Sequence, residues 1–513
     1  MQEILFVLHG FVKNTVTAMT SSITDNFQKI IGRILMYIGL LLLVVMFIIP
    51  FVIFRICVHF TLKIFYGKLY GGLLNGGDLM FAINSRKTVI NILIFYSCPR
   101  NRFEREALIK SFIGKVHSST DKFRCSIKKI FGYLYFIKDQ IKSHEVLKMV
   151  DYNTAYITKN ELHDYIEKNC LTISANQMWK VSAFRQPICN DGTNDSESPQ
   201  YVMVITVVHC VGDGPAVASV FKKVLEEDLS KSRDLPIRKH IRHSRPSLNL
   251  SDAFIYRNPL TSELNTRELK SANNFNWHVV THIETKRKYI SIVREIKRKL
   301  GVNFMDVIGA AIYSSINDYI MTRNIKMNTF TACKVVRVNE KEEQEILNKT
   351  YNLDLMNTSS LELFDVSYGE IQNIKDRILH IHRISSTMHN SIDYLFFLNL
   401  QQIVTYLPLS LLRFICSRFM SSVTIGITNL VGFNKSSYCG CSIDDILFHI
   451  PDIFQTGFIL SIFSYADRMS VTLVSGKGYV HNREELQTIL DGYFKYLDEA
   501  EKEVLGYRFE DTN

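Results

Sequence analysis

Residues 201–221 read YVMVITVVHCVGDGPAVASVF, in which an unbroken apolar run ends at a histidine and a glycine-containing turn. The run Tyr201–Val208 is rich in β-branched residues and predicts a strand that is buried on both faces. After Pro215 the apolar residues take the spacing of an amphipathic helix. His209 is therefore predicted to lie between a strand and a helix, where Gly214 lets the backbone turn tightly.

A histidine in that position has the chemistry of a general base. The pKa of a free imidazole lies near neutral pH, so a neutral ring can take a proton from an alcohol, thiol or amine that attacks an activated carbonyl. Asp213 is expected to fix the loop, by pairing with an arginine or with backbone donors, rather than to touch the substrate. The alternative is that His209 ends a strand without any chemical role.

The segment HCVGDG, residues 209–214, resembles the H-x-x-x-D-G signature of the coenzyme-A-dependent acyltransferase superfamily. It is similar in particular to the H-H-x-x-x-D-G motif of the wax ester synthase/diacylglycerol acyltransferase (WS/DGAT) family. The general base of that family is the second histidine, which falls on His209, whereas Val208 replaces the first. The resemblance implies that His209 and Asp213 are the catalytic residues of the motif.

The resemblance covers roughly residues 76–500, and seven segments carry it. They are 76–99 (opening strand), 103–117 (helix), 177–184 (strand), 288–320 (helix, turn and helix), 427–433 (strand and turn), 457–480 (hairpin) and 482–499 (terminal helix). Met305 stands where the family has asparagine, and Phe433 where it has proline. The fold that this implies is α/β, with two chloramphenicol-acetyltransferase-like halves, mixed sheets and a tunnel between the halves. The alternation of strand and helix patterns after residue 280 independently favours an α/β class.

Acyl transfer also requires donors for the negative oxygen that forms on the attacked carbonyl. We expect these donors to be the backbone of Gly212–Gly214, and, from the family resemblance, Asn429. Gly432 is expected to let the two halves approach closely. Asp306 matches an aspartate of the family's helix-opening turn, where a capping role and a direct role both fit.

The segment Ile34–Phe54 carries no charge between Arg33 and Arg55 and is predicted to cross a membrane as a helix. A cleaved signal peptide fits poorly, because the apolar core is too long and too far from Met1; a buried core helix is the other alternative. The basic residues after the span favour a cytoplasmic body, with the endoplasmic reticulum as the expected membrane. The N-x-S/T sequons would allow the opposite topology, and they lie at Asn194, Asn249, Asn348, Asn357 and Asn434.

Two further segments bear on membrane contact. Tyr394–Leu412 lacks charge but contains several polar residues, so it predicts helices joined at Pro408 that pack on the core or lie at the membrane surface. The basic run Lys231–Arg245 predicts a solvated linker between the halves, with a site for lipid headgroups or coenzyme A phosphates as the alternative.

A chain of 513 residues, 47% of them hydrophobic, can form two or three domains. The predicted organisation is a membrane-anchor region at 1–70, an N-terminal acyltransferase half at 71–230, a crossover linker at 231–255 and a C-terminal half at 256–513. The ten cysteines have no framework spacing and predict free thiols. The sequence has no motif for a metal or a nucleotide-binding loop, and its basic run lacks the aromatic residues expected for nucleic-acid binding. We therefore expect no metal, no bound cofactor and no nucleic-acid partner.

These patterns predict a single-pass membrane O-acyltransferase. Its partners would be a long-chain acyl-coenzyme A, as cosubstrate, a fatty alcohol or diacylglycerol as acceptor, and membrane lipids. An acyltransferase with a nonlipid acceptor carries the same motif. The competing hypothesis is a catalytically silent, membrane-anchored protein that keeps the fold to bind lipid or shape membranes, and the departures at Val208, Met305 and Phe433 are what favour it.

Overall fold

A computed structural model describes residues 38–39, 46, 49–83, 88–99, 101–139, 141–174, 176–189, 199–225, 277–284, 288–323, 329–337, 355, 357, 359–367, 371–389, 393–420, 423–432, 434–451, 457–476 and 479–506. The predicted linker at 231–255, including Lys231–Arg245, lies outside these residues. So do Phe433 and most of the predicted membrane span.

The helices in this part of the chain are α1 (Ile49–Tyr66), α2 (Gly76–Ala82), α3 (Arg102–Ser118), α4 (Lys159–Asn169), α5 (Gly214–Leu225), α6 (Tyr289–Leu300), α7 (Phe304–Thr322), α8 (Ile374–His389), α9 (Asp393–Val404), α10 (Leu409–Met420) and α11 (Arg483–Leu505). The strands are β1 (Tyr70–Leu73), β2 (Val89–Ser97), β3 (Cys125–Ile130), β4 (Tyr133–Lys138), β5 (Leu147–Val150), β6 (Trp179–Phe184), β7 (Gln200–Val208), β8 (Trp277–Ile283), β9 (Phe330–Arg337), β10 (Ser359–Val366), β11 (Ile425–Val431), β12 (Ser437–Tyr438), β13 (Cys441–His449), β14 (Phe458–Tyr465) and β15 (Arg468–Gly476).

The sheet of the N-terminal half has the strand order β12-β13-β2-β7-β6-β5. Its central strands β2 and β7 are antiparallel and in register from the pair Val89 and Val208 to the pair Ser97 and Gln200. Nearly every position of β7 is buried, which confirms the strand predicted from the apolar run. Strand β5 pairs with β6 in parallel, so the sheet is mixed.

The sheet of the C-terminal half has the order β10-β9-β11-β14-β15-β8. Strand β11 is parallel to both of its neighbours, β9 and β14, whereas the other pairs are antiparallel. Helices α6, α7, α8 and α11 contribute to the apolar core on one face of this sheet. Two mixed sheets, each with its own helices, confirm the predicted α/β fold with two halves.

Strand β13 joins the two halves, because it belongs to the C-terminal part of the sequence but pairs with β2. A disulfide between Cys98 and Cys441 connects the end of β2 to the start of β13, with the Cα atoms 4.5 Å apart. The prediction of free thiols is wrong for this pair. Its members are 343 positions apart and meet only through strand pairing, so no local spacing could reveal them.

Helix α1 is the one described helix that is long and apolar enough to cross a membrane, over Ile49–Leu69, with a mean hydropathy of 1.6. It overlaps only the end of the predicted span Ile34–Phe54. Arg55 was expected to flank that span, but it lies within α1 and its side chain is buried against the body of the protein. It donates hydrogen bonds to the carbonyl oxygens of Leu74 at 2.7 Å and Thr405 at 3.2 Å. Hydropathy measures composition alone, so it placed the boundary at the first charge although this charge faces the protein.

One buried stripe of α1, formed by Val52, Arg55, Val58 and Leu62, packs on the body of the protein. Val58 and Leu62 lie against a small antiparallel sheet with the order β1-β4-β3. The spacing of three or four residues is that of one helical face, so the remaining faces of α1 are left outside this contact.

Several element boundaries differ from the predictions. The segment 76–99 begins with helix α2 and becomes a strand only at Val89. Strand β8 ends at Ile283, and α6 begins at Tyr289, one residue inside the segment 288–320 expected to form two helices. Helices α9 and α10 flank Pro408, which confirms the two helices predicted for that apolar stretch.

Candidate active site

His209 lies at the end of β7, in a short 3-10 turn over His209–Val211 that leads to α5. Its backbone N–H donates to the carbonyl oxygen of Thr88 at 2.8 Å, which fixes it beside the start of β2. The residue is only 4% exposed. The predicted arrangement of strand, histidine and helix is therefore present.

Asn357 determines which nitrogen of the His209 ring carries the hydrogen. Its amide nitrogen Nδ2 faces two acceptors, the Asp78 carboxylate oxygen Oδ1 at 2.9 Å and the His209 carbonyl oxygen at 3.0 Å. Its oxygen Oδ1 therefore faces the ring nitrogen Nδ1 of His209, at 3.1 Å, and accepts a hydrogen from it. With Nδ1 protonated, the neutral ring has its lone pair on Nε2, which is the arrangement that a general base requires.

Asp78 and Lys122 support Asn357 from the other side. The Lys122 ammonium donates to Asp78 Oδ2 at 2.5 Å and also to the carbonyl oxygen of Leu355. Asp78 Oδ1 accepts the backbone N–H of Asn357 at 3.1 Å in addition to its side-chain amide. Burial raises the pKa of the Asp78 carboxyl, and the Lys122 charge and the Asn357 hydrogen bonds counteract it. Since each of these partners is a donor, we describe Asp78 as an ionised carboxylate.

Gly77 permits this contact between α2 and the segment that carries Asn357. A Cβ atom at Gly77 would lie 2.5 Å from the backbone oxygen of Asn357 and 2.6 Å from its Cβ. Any larger residue would push Asn357 away from Asp78, the neighbour of Gly77. In the Gly-Gly-Asp sequence at 76–78, Gly77 thus allows Asn357 to approach and Asp78 binds its amide, a role that sequence analysis did not identify.

Burial lowers the pKa of His209 to about 4, although Asp213 and the hydrogen bond with Asn357 oppose the shift. The ring stacks on Phe81 of α2, with centroids 3.7 Å apart and planes 13° apart. An aromatic ring on one face and a low-dielectric environment disfavour the imidazolium form. At neutral pH the ring is therefore neutral and able to accept a proton.

Asp213 caps helix α5. Its Oδ1 accepts the backbone N–H of Ala216 at 3.1 Å, and its backbone oxygen accepts that of Val217. Its Oδ2 accepts the hydroxyl of Ser359, at the start of β10, at 2.8 Å. The predicted backbone donor is thus present, and the carboxylate connects the turn to the C-terminal half.

Gly214 faces an apolar pocket at the junction of the two halves. The pocket has a free volume of about 20 Å³, and its lining includes Gly214 but not His209. It is lined by Ile90, Ile92, Ile94, Gly214, Val217, Ala218, Phe221, Leu430, Ile446, Phe448 and Phe463. A Cβ atom on Gly214 would come within 2.8 Å of Leu430 Cδ1, so glycine allows strand β11 to approach the motif. Gly212 is also tightly enclosed, 3.1 Å from Ala216 and 3.2 Å from Leu355 by the same measure.

Asn429 and Gly432 lie on or after β11 and do not contact His209 in the described hydrogen bonds. Because strand residues alternate, Asn429 shares a face with Ile425 and Ile427, which pack in the core of the C-terminal half, and not with Leu430. Its role as an oxyanion donor thus has no supporting contact and stays a prediction. A Cβ on Gly432 would lie 1.9 Å from the Ser464 carbonyl oxygen. This close approach is to β14 within the same half, so the expectation that Gly432 brings the two halves together gains no support from it and stays a prediction.

Asp306 belongs to the start of α7. Its Oδ2 accepts the Asn303 backbone N–H at 2.8 Å, in a capping box, and contacts His382 Nδ1 at 2.6 Å. Its Oδ1 accepts the Ser385 hydroxyl at 2.6 Å. Of the two roles considered, capping is the one for which the structure supplies contacts. The neighbouring Met305 packs against the same core cluster.

Sequence reasoning missed the residues that hold His209. Asn357 and Ser359 belong to one N-x-S/T sequon, and they contact the histidine and the aspartate of the motif. The sequon was interpreted only as a glycosylation signal, yet Asn357 is 7% exposed. Asn357 and His209 are 148 positions apart in the sequence, so no local spacing pattern could predict that this amide lies beside the histidine.

A family model for the WS/DGAT C-terminal domain matches residues 357–497, a range that begins at Asn357 and ends within α11. No curated protein matches the sequence. Among solved structures, the wax ester synthase/diacylglycerol acyltransferase from Marinobacter aquaeolei VT8 is similar, with a TM-score of 0.54 and 15% identity over 84% of this chain and 99% of that protein.

Two further structures share the fold. The TRI3 trichothecene 15-O-acetyltransferase from Fusarium sporotrichioides has a TM-score of 0.55 and 12% identity, covering 84% of this chain and 95% of its own. The first condensation domain of the CDA synthetase has a TM-score of 0.54 and 9% identity, covering 85% and 97%. At these identities the likeness concerns the fold. Over residues 357–497 the chain is thus similar to the WS/DGAT C-terminal domain, and it shares a two-halves α/β fold with these structures, in agreement with the resemblance seen in residues 209–214.

Proposed function

We propose that the protein is a membrane-bound O-acyltransferase that transfers a long-chain acyl group from acyl-coenzyme A to a fatty alcohol or diacylglycerol, with His209 as the general base. The observation that carries this proposal is the hydrogen bond from His209 Nδ1 to the oriented amide of Asn357. It leaves Nε2 as the basic nitrogen of a neutral ring. This tautomer, together with the place of His209 in the H-x-x-x-D-G pattern, supports the role of general base.

The reaction begins when Nε2 of His209 takes the hydroxyl proton of the acceptor. The oxygen forms a bond to the thioester carbonyl carbon, and the carbonyl becomes an oxyanion. When the oxyanion collapses, the carbon–sulfur bond breaks and coenzyme A leaves as a thiolate that receives the proton from His209. The products are an ester and free coenzyme A, and the base is regenerated.

Asn357 is a positioning residue in this mechanism. During proton transfer the ring becomes an imidazolium, and a partner that accepts the Nδ1 hydrogen keeps the ring in place in both protonation states. Asp78 and Lys122 hold the Asn357 amide in the required orientation. Asp213 acts through its cap on α5, whose first turn presents the backbone of Gly212–Gly214 as the candidate donors for the oxyanion.

The apolar pocket next to Gly214 supports a long acyl chain as the transferred group. Its lining consists of apolar side chains and glycine, which matches the chemistry of an acyl chain, and with about 20 Å³ of free space the lining would have to open to admit one. Helix α1 supports attachment to a membrane, where lipid alcohols reside. We place the body on the cytoplasmic face of the endoplasmic reticulum; a glycan on Asn434, an exposed sequon, would contradict that topology.

The test compares the full-length chain with His209→Ala in membranes that lack neutral-lipid synthesis, with labelled acyl-coenzyme A and either acceptor. We expect ester from the native chain and a loss of roughly 10²–10⁴-fold in the variant, the usual contribution of a general base. His144→Ala, at an exposed histidine, is the matched control and should retain full activity.

Equal product from the native chain and His209→Ala would remove His209 from the mechanism. No product from either, with both chains folded by circular dichroism, would favour the catalytically silent lipid-binding protein. The same assay with each acceptor alone distinguishes a wax ester synthase from a diacylglycerol acyltransferase.

A further inference from the structure

Large apolar side chains are exposed together on three segments of the described chain. These are the outer face of α1, the turn between β3 and β4, and the outer face of α10. Their exposed members are Ile49, Ile53, Phe54, Ile56, Phe60, Ile64 and Phe65 on α1, Phe131 at the turn, and Leu411, Phe414 and Ile415 on α10. We call this set the apolar face. Monomeric soluble proteins rarely expose so many large apolar side chains on neighbouring segments.

Direct contacts hold the three segments next to one another. The rings of Phe54 and Phe131 lie in edge contact, with centroids 6.3 Å apart. The backbone N–H of Leu409, the first residue of α10, donates to the carbonyl oxygen of Gly132 at 2.9 Å. Arg55 joins α1 to the segment before α10 through Thr405. The apolar face is therefore continuous from α1 across the turn to α10.

Each helix of the apolar face has a second, buried side. In α10, Leu409, Leu412 and Cys416 lie in the core, whereas Leu411 and Phe414 point outward. The sequence expectation left core packing and membrane contact as alternatives for this region. Helix α10 has one apolar face in the core and a second apolar face that is exposed, and core packing accounts only for the first.

The charges around the apolar face are mostly basic. The sequence has no Asp or Glu in 49–69, 125–138 or 405–420, although Asp139 follows directly. Exposed basic residues in these ranges are Lys63, Lys68, Lys128, Lys129, Lys138 and Arg413, of which Lys138 pairs with Asp121 at 2.9 Å. Apolar side chains flanked by basic residues match a lipid surface with anionic headgroups, whereas a protein partner would also require complementary shape and polar contacts.

We infer that the apolar face docks on an anionic lipid bilayer, so that the turn at Phe131 and the outer face of α10 enter the membrane surface together with α1. The catalytic body then lies on the membrane and is not held away from it by a tether. The inference rests on the membrane association proposed above, and it does not depend on acyl transfer. Its occupant is a bilayer because the apolar face is continuous with the helix that is apolar enough to span one.

Docking would also place the histidine close to the membrane. The hydroxyl of Thr405, whose carbonyl accepts from Arg55, in turn accepts the backbone N–H of Gly76 at 2.6 Å. Gly76 begins α2, which carries Asp78 and Phe81 of the candidate site. A lipid acceptor that leaves the bilayer at this face would have only a short distance to travel.

The test measures insertion depth in the full-length chain. Phe131→Trp and Phe414→Trp are made separately and reconstituted in vesicles of phosphatidylcholine and phosphatidylglycerol with brominated acyl chains, which quench tryptophan in contact with them. Phe103→Trp, on α3 and outside the apolar face, is the matched control because Phe103 is 83% exposed. The native Trp179 and Trp277 are buried and give a constant background.

We expect a loss of tryptophan emission for the first two variants and none for the control. Equal emission in all three would overturn the inference and leave α1 as a simple tether. If emission from the first two is shielded from both brominated lipid and aqueous acrylamide, a second copy or another protein covers the face, and the inference is also wrong. Repeating the measurement on His209→Ala separates docking from catalysis, since docking does not require the base.

Discussion

Helices α5 and α7, in different halves of the molecule, each have an aspartate at their start that also accepts a serine hydroxyl. Asp213 precedes α5, caps it and accepts from Ser359, whereas Asp306 lies in the first turn of α7, forms a capping box with Asn303 and accepts from Ser385. Only the first aspartate lies four residues after a buried histidine. The pairing of an aspartate with a serine therefore attaches a helix to its neighbours in both halves. The N-terminal half differs in the buried histidine that precedes its aspartate and that could act as a base.

The largest expected effect concerns these two aspartates. Asp213→Ala removes the cap of α5 and the acceptor of the Ser359 hydroxyl. Asp306→Ala removes one side of a capping box and one acceptor of the Ser385 hydroxyl, which keeps the His382 carbonyl oxygen at 3.3 Å. We expect each to lower the free energy of unfolding by about 2–4 kcal/mol. Acyl transfer per folded molecule should fall only in Asp213→Ala, because that cap positions the turn after His209. Urea denaturation and product assays measure the two quantities.

Activity lost in Asp306→Ala while its unfolding midpoint stays unchanged would give Asp306 a direct role and remove the contrast between the halves. Ser385→Ala and Ser359→Ala provide the matched check. Each removes only the hydroxyl partner, and only Ser359→Ala should affect turnover.

The next effect sharpens the role of Asn357. In Asn357→Leu the Nδ1 hydrogen of His209 loses its acceptor, which should cost about 1–3 kcal/mol in the transition state, or roughly a 5- to 150-fold fall in kcat/KM. A residue that only supports the fold would change stability and leave the pH profile of kcat/KM as it was. The readout that separates the two is that profile, together with thermal unfolding of the same sample.

If Asn357→Leu keeps native kcat/KM at every pH, the amide does not position the base. Recovery of activity in Asn357→Gln, which keeps the amide on a longer side chain, would support positioning. Gln177→Leu, at an amide outside the candidate site, is the control substitution.

The smallest expected effect is the response of the native protein to mild acid. The pKa of His209 is lowered to about 4, so at pH 5 roughly nine rings in ten remain neutral and kcat/KM should stay level from pH 8 to pH 5 with respect to this group. Between about pH 4 and 6.5 the unfolded chain binds more protons than the folded one at this position. His209 therefore lowers stability as pH falls through that window.

The measurement is kcat/KM between pH 4 and 8, with unfolding followed over the same range. A limb in the profile near pH 6.5 that is absent in His209→Ala would mean that the ring is solvated in the active protein. The contrast between the halves would then need revision, because the buried histidine is what distinguishes the N-terminal half from the C-terminal half.

Local sequence was sufficient for the elements that hold the motif. The strand expected at 201–208 extends over Gln200–Val208, and the helix expected at 103–117 extends over Arg102–Ser118. An unbroken run of β-branched residues and a regular helical period leave few alternatives. The family resemblance singled out His209 as the expected base, which stays a prediction, and the match to residues 357–497 agrees with the family.

The parts that sequence did not supply depend on distant contacts. Asp78 and Asn357 are brought to His209 by the sheet and by the junction of the halves, and neither lies in a recognised motif. Gly432 was recognised as a required glycine, but the sequence did not indicate that its nearest neighbour is Ser464 of β14. Arg55 was read as the end of a span because hydropathy does not record which face of a helix is covered.

The hydrogen bonds of Thr405 have a practical meaning for work with this protein. Its carbonyl accepts from Arg55 on α1, and its hydroxyl accepts from Gly76, the first residue of α2, which carries Phe81 under the His209 ring. Deleting the N-terminal segment to obtain a water-soluble enzyme would thus withdraw a guanidinium from two interior carbonyls next to the reaction centre. Solubility gained in that way would come with a disturbed active site, so purification in detergent or nanodiscs is the route that preserves what is to be measured.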